Sequence, residues 1–106
     1  MISLIHAKDP FGMVVVLANL LCDENGIEKD FSRLQRAIAT TIENPALLVH
    51  VTDIPGKRYY FRAIHWHYTV LIGVHEEHGV WTVKECCENP SGRHMFGIYK
   101  RGTQLV

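Results

Sequence analysis

The chain is poor in cysteine. It has three in 106 residues, and two of them, Cys86 and Cys87, are adjacent. Neighbours on a strand point to opposite faces, so the set does not suit a disulfide framework, and a reducing, cytoplasmic setting is expected. The chain also lacks an excess of either charge: eleven Lys and Arg balance eleven Asp and Glu. Without a global field, affinity for a polyanion must come from a local patch. No apolar run is long enough to span a bilayer. The best candidate, FGMVVVLANLLC (Phe11–Cys22), follows a balanced Lys8–Asp9 pair and precedes no small-x-small cleavage site. It therefore reads as a buried element and not as a leader, and no membrane partner is expected. Repeats, linkers and low-complexity segments are missing too, which leaves one domain over residues 1–106.

Histidine is the abundant residue. Of seven, four fall between Tyr59 and Cys87, among Tyr, Val, Ile and Trp residues of strand type. Upstream the pattern is helical. Asp9–Pro10 has the form of a helix start, an Asp cap followed by Pro at the first helical position. It predicts a helix over Met13–Leu21, although three consecutive valines lose rotamer freedom there. Ile2–His6 reads as a short strand or an extended lead-in. Phe31, Leu34, Ile38 and Ile42 recur at spacings of 3, 4 and 4, the stripe of an amphipathic helix. Asn44–Pro45 ends it. Beyond Pro45, strands are predicted at Ala46–Val51, Arg58–Ile64, Tyr68–His75, Val80–Cys87 and His94–Lys100, with turns at Pro55–Gly56, at Glu76–Gly79 and in ENPSGR. The expected fold is α+β: two N-terminal helices (about 10–44) packed on one face of a four- to five-stranded antiparallel meander (about 46–100).

Strand alternation then assigns faces. Pairing His75 with Val80 puts Tyr68, Val70, Ile72 and Val74 with Trp81, Val83 and Cys87 on the helix side, where Glu85 is the lone polar exception. Pairing Ala63 with Tyr68 and Tyr59 with Ile72 leaves Arg58, Tyr60, Arg62 and Ile64 on the open side. They join His67, Thr69, Leu71, Gly73, His75, Lys84 and Cys86 there. This assignment depends on parity alone, because a one-residue slip reverses it.

Three chemistries suit such a face. His65-x-His67 and His75-x-x-His78 resemble metal half-sites. They lie about 26 Å apart along an extended strand, however, and neither has a second closely spaced partner, so no metal is assigned. Cys86 near His67 would offer a thiol and a base, with Lys84 and Arg62 favouring thiolate, but nothing marks an orienting residue or an oxyanion hole. RNA cleavage by attack of a 2′-hydroxyl needs only a base, an acid and cations for the developing charge, and no cofactor. His67 would be base or acid, Arg62 and Lys84 would stabilise charge, and Tyr60 would donate a hydrogen bond or stack. Arg58 and Arg93 would hold flanking phosphates. Lys100 and Arg101, in YKRG, form a further basic cluster suited to phosphate. His50, His75 and His78 read as structural or solvated. Arg93 and His94 gain interest only if their loop folds over the open face.

ENP, then the Tyr/Arg-rich RYYFR (Arg58–Arg62), then YTVLIGV (Tyr68–Val74), in that order, resemble the small toxin ribonucleases that include barnase, EndoU, colicin cytotoxic domains and RelE, and most of all their phage- and toxin-associated branch. The resemblance covers roughly residues 28–100. It implies a metal-independent endoribonuclease with its catalytic residues on the open sheet face, here Arg62, His67, Lys84 and Tyr60, and it implies RNA and a cognate inhibitor protein as partners. The sequence departs from the barnase type in offering no clear glutamate on that face. A rival expectation is a non-catalytic protein-binding module of the same architecture, such as an antitoxin, immunity or phage accessory protein.

Overall fold

The structure is a computed structural model that describes residues 6–106. The expectation for Ile2–Ile5 lies outside the described residues. In chain order the elements are β1 (His6–Lys8), β2 (Val14–Val16), β3 (Leu20–Cys22), β4 (Glu28–Asp30), a 3-10 turn (Ser32–Leu34) leading into α1 (Gln35–Glu43), β5 (Leu47–Val51), β6 (Lys57–His65), β7 (Tyr68–Glu77), β8 (Val80–Glu88), α2 (Gly92–Lys100) and β9 (Gly102–Gln104). The strands form one sheet ordered β1-β2-β8-β7-β6-β5-β9, with β3 also on β8 and β4 on β3. All pairs are antiparallel except β2 and β3, which run parallel to β8. The fold is α+β with a mixed, mostly antiparallel sheet, and its β5–β8 meander is the one expected from sequence.

The helix expected at Met13–Leu21 does not form. Val14–Val16 and Leu20–Cys22 are short strands laid along the edge of β8. The cause sits at Asp9. Its Oδ1 accepts from the backbone N–H of both Phe11 and Met13 at 2.9 Å, which closes a turn between β1 and β2 in place of capping a helix. Asp23 does the same between β3 and β4, accepting from Asn25 and Ile27 at 2.9 Å. In both loops a glycine three residues on, Gly12 (φ +84°) or Gly26 (φ +75°), supplies the left-handed step. The loops DPFGM and DENGI are thus one device used twice.

The strand expected at His94–Lys100 is a helix. Ser91 caps it, its hydroxyl accepting from the N–H of His94 at 3.1 Å, and Pro90 precedes the cap. Apolar residues at 95, 96, 98 and 99 fit either period, and the cap decides between them. The two helices are therefore neither both N-terminal nor on one face. α1 buries Ile38 and Ile42 against Leu48, Tyr60, Val70, Ile72 and Val74. α2 buries Ile98 against Val49, Val51, Tyr59, Leu71 and Cys87 on the opposite side.

Two bulges set the facing. His65 pairs with Tyr68, but the register shifts before Ala63, so Tyr60 and not Tyr59 lies opposite Ile72. That single extra residue turns all of β6 over. Arg58, Tyr60 and Arg62 face α1, while Lys57, Tyr59 and Phe61 face α2. In β8 the register shifts again between Gly73 and Val74, leaving Lys84 unpaired. Trp81 and Val83 keep the expected face. Beyond the bulge Cys86 turns inward to the α1 core, and Glu85 and Cys87 turn toward α2.

The inverted β6 residues have structural partners. Tyr60, fully buried, donates to Asp9 Oδ2 at 2.8 Å. Burial pushes its phenol pKa up, and the Asp9 carboxylate adds to that. Arg58 reaches the same oxygen at 3.3 Å and lies over the Trp81 ring at 5.1 Å. Together they pin the β1–β2 hairpin to the sheet. Asp9→Ala should lower stability by about 3–5 kcal/mol, because it strands a largely buried guanidinium, whereas Tyr60→Phe should cost about 1–2 kcal/mol. Urea midpoints at unchanged slope check both, and a midpoint unmoved by Asp9→Ala would refute the account.

Candidate functional site

The face bearing α2 carries a cleft of about 530 Å³. Its floor is β6–β8, one wall is the β3–β4 hairpin from Cys22 to Gly26, and the other carries His94 of α2. Glu85 occupies the middle. Its Oε1 accepts from Lys57 Nζ at 3.0 Å and faces His75 Nε2 at 3.3 Å, while Oε2 accepts from the Tyr59 hydroxyl at 3.3 Å. Two strands, β6 and β7, thus bring three functional groups to one carboxylate on a third, β8. Lys57, 8% exposed, also lies over the Tyr59 ring at 5.0 Å.

Glycine makes the arrangement fit. Gly73 lies opposite Glu85 in the register, and a Cβ there would meet the Glu85 carboxylate at 2.9 Å. The side chain lies flat across the space that Gly73 leaves open. The neighbouring bulge aims both Lys84 and Glu85 into the cleft. Lys84 also approaches Glu77 at 3.6 Å.

Electrostatics hold the centre ionised. Burial pushes the Glu85 carboxyl up, but Lys57 and then His75 outweigh it, and the group sits below the usual range. Burial likewise pulls Lys57 down, and its bonds to Tyr59 and Glu85 more than restore it, so it sits above the usual range. The thiols behave oppositely. Cys86 is pushed up to about 12, mainly by burial and then by Glu88, and Cys87 to about 11, by burial and Glu24. Neither favours a thiolate nucleophile.

A second hollow of about 480 Å³ adjoins the first, sharing Tyr59 and His94, and is lined further by Ser91, Arg93, Gly97, Ile98 and Arg101. It has no acidic lining residue. From Pro90 to Val106 the sequence contains no Asp or Glu, but has Arg93, His94, Lys100 and Arg101. Arg101 approaches Asp53 at 3.7 Å, and Lys100 lies over the Phe96 ring at 5.2 Å.

The residues expected to be catalytic do not converge. Lys84 is in the cleft. Tyr60 is sealed in the α1 core, and Arg62 lies on the α1 side, where its Nη1 donates to the Asn44 carbonyl at 2.7 Å at the end of α1. His67 is at the exposed β6–β7 turn with φ +60°. Of the expected RNA contacts, Arg58 is internal, Arg93 and Arg101 line the second hollow, and Lys100 is in the last turn of α2. Glu85, His75, Lys57, Tyr59 and His94 replace the expected set. One signal pointed to them: Glu85 was the single polar residue in an otherwise apolar row, as a bulge would leave it. Among the described residues no three His, Cys, Asp or Glu side chains are placed to hold a metal ion, and no helix is long and apolar enough to cross a membrane. The chain matches no family model, no curated protein and no solved structure.

Two predictions follow from Glu85. Its depressed value means that its stabilisation is complete above the unfolded carboxyl value of about 4.5 and is lost as pH falls through the lower folded value. Glu85→Gln should flatten that acid limb in a series of thermal melts against pH; an unchanged limb would refute the ion pair. Gly73→Ala should displace the carboxylate and cost about 1–3 kcal/mol. Its acid limb should come to resemble that of Glu85→Gln, and a melt series matching wild type would count against the fit.

Proposed function

We propose that the protein is a metal-independent endoribonuclease whose acid–base site is this cleft. The observation that carries the reading is His75 set against a carboxylate that Lys57 and Tyr59 fix from other directions, in a cleft whose far wall holds a second imidazole, His94. A base oriented by a carboxylate and an acid across a gap is the minimum that attack by a 2′-hydroxyl requires.

The steps follow from the placement. With Nε2 donating to Glu85, the other ring nitrogen of His75 takes the 2′-hydroxyl proton. The 2′-oxygen bonds to phosphorus as the bond to the 5′-oxygen breaks, and His94 gives its proton to that leaving oxygen. The products are a 2′,3′-cyclic phosphate and a 5′-hydroxyl. Lys84 stabilises the charge that develops on the phosphoryl oxygens, and Arg93 and Arg101 hold the adjoining phosphate in the second hollow. Glu85 stays ionised and positions His75. The acid-free C-terminal stretch supplies the local positive surface that a neutral chain needs to hold RNA. The arrangement keeps the nuclease idea and the Lys84, Arg93 and Arg101 contacts, but puts the site on the face that carries α2 and not on an open one, moves the catalytic histidine and adds a glutamate.

A second reading, a protein-docking module such as an antitoxin, immunity or phage accessory protein, draws on Phe96 and Tyr99. They are 62% and 51% exposed on the outward side of α2.

Total RNA incubated with the protein in EDTA should be cut to fragments ending in cyclic phosphate. His75→Ala and His94→Ala should each slow cutting about a hundredfold or more, while His78→Asn, in the β7–β8 turn, should leave it unchanged. The rate should follow a bell in pH, and Glu85→Gln should shift its basic-group limb. Intact RNA, or full activity in both histidine variants, overturns the assignment. Intact RNA together with tight binding to another protein through Phe96 and Tyr99 favours the docking reading.

A further inference from the structure

The tip of the β6–β7 hairpin holds groups that the proposed site does not use. Trp66 is 84% exposed. It and His67 form a two-residue turn between the paired His65 and Tyr68. Such turns favour Gly or Asn where φ is positive, yet His67 adopts φ +60°. The strained step sets the His67 ring edge-on to Trp66, with centroids 4.7 Å apart and planes at 71°. Behind it, His65 and Tyr68 lie 5.1 Å apart. Four consecutive residues therefore carry four rings, while Ile64 packs inward against the α1 core. The register shift between Ala63 and His65 adds local twist where the tip leaves the sheet.

From Ile54 to His75 the sequence has no Asp or Glu. Lys57, Arg58 and His75 lie at the far end of the ribbon against Glu85 and Asp9, and the basic groups nearer the tip are Arg62, His65 and His67. Glu88 of β8 reaches the tip, accepting from the Tyr68 hydroxyl at 3.1 Å, and it faces Arg33 at 3.6 Å. A solvated indole braced by an imidazole, on a ribbon without acids, matches a planar ligand joined to an anionic backbone. Unpaired nucleotides offer that combination, whereas a duplex hides its base faces. A bilayer or an apolar protein groove would call for aliphatic neighbours, and here the flanking side chains are imidazoles.

The geometry points to Trp66 as a base-stacking contact for single-stranded RNA, remote from the cleft. His67 and His75 are eight residues apart on the ribbon, about 26 Å at roughly 3.3 Å per residue. A strand touching both would have to be unpaired over that length. The inference rests on the ribonuclease reading only for the choice of RNA as ligand.

The test uses a 2′-O-methyl oligoadenylate, which cannot be cut, and a strand of equal charge whose sugars carry no bases. The oligoadenylate should quench the Trp66 emission. Trp66→Ala should abolish that quench and weaken binding about tenfold, Trp66→Phe should retain most of the affinity, and the base-free strand should be indifferent to either change. Trp81, half-buried beneath Arg58, serves as the internal unquenched reference. The inference is overturned by unchanged emission at saturating oligoadenylate, by wild-type affinity in Trp66→Ala, by equal losses for both strands, or by quenching with anionic vesicles alone. Trp66-dependent binding without cleavage of ordinary RNA would sink the ribonuclease reading and leave this contact standing.

Discussion

The ion pair between Glu85 and Lys57 is the constraint on which the groove face depends. Lys57 comes from the start of β6 and Glu85 from the middle of β8, so their contact spans β7 between them. It forms because Gly73 on that intervening strand has no side chain. A partly desolvated carboxylate is costly unless hydrogen-bonded. Lys57, His75 and Tyr59 supply three partners, and so Tyr59 and His75 are held in place as well. The same contact favours the ionised carboxylate, the form the proposed site uses beside His75.

α2 gives this face its shape. Had residues 94–100 continued the meander as a strand, the surface would have been broad and wet. Folded back as a helix, they bury Ile98 on Leu71 and Cys87 and divide the face into a cleft and a hollow. Their basic groups then stand across from the acidic wall residues Asp23 and Glu24, with the Glu85 carboxylate on the floor between. The charges are sorted by position within a chain whose total is zero, and the composition alone gives no sign of that sorting.

Much of the sheet was readable from sequence. The strands of the meander and the turn at Pro55–Gly56 stand where the pattern puts them, and β7 faces as its alternation requires. Of the stripe Phe31, Leu34, Ile38 and Ile42, the last two are buried on α1, while Leu34 in the 3-10 turn and Phe31 just before it join the same core from outside the helix. The failures share a physical origin. Alternation fixes facing only while the ladder is regular, and one extra residue at Ile64 and another at Lys84 reversed what lay beyond them. Tyr60 and Arg62 moved to the core side by the first, and Glu85 reached the cleft by the second. At the N-terminus, an Asp that can cap a helix can equally close a hairpin loop. The run of valines behind Asp9 already favoured the extended choice. At the C-terminus, Ser91 outweighed a pattern that suited either period.

The twin aspartate loops have a wider consequence. By folding residues 6–30 into β1–β2 and β3–β4, they cover the flank of β8 that the meander alone would leave bare. Among the described residues the sheet's remaining rims, β1, β4 and β9, are three residues each. Rims so brief give an incoming chain little ladder to extend, which disfavours amyloid-like stacking and strand donation alike. Recognition by strand addition along the border is thereby disfavoured relative to contact through the clefts, the outer side of α2 or the β6–β7 tip.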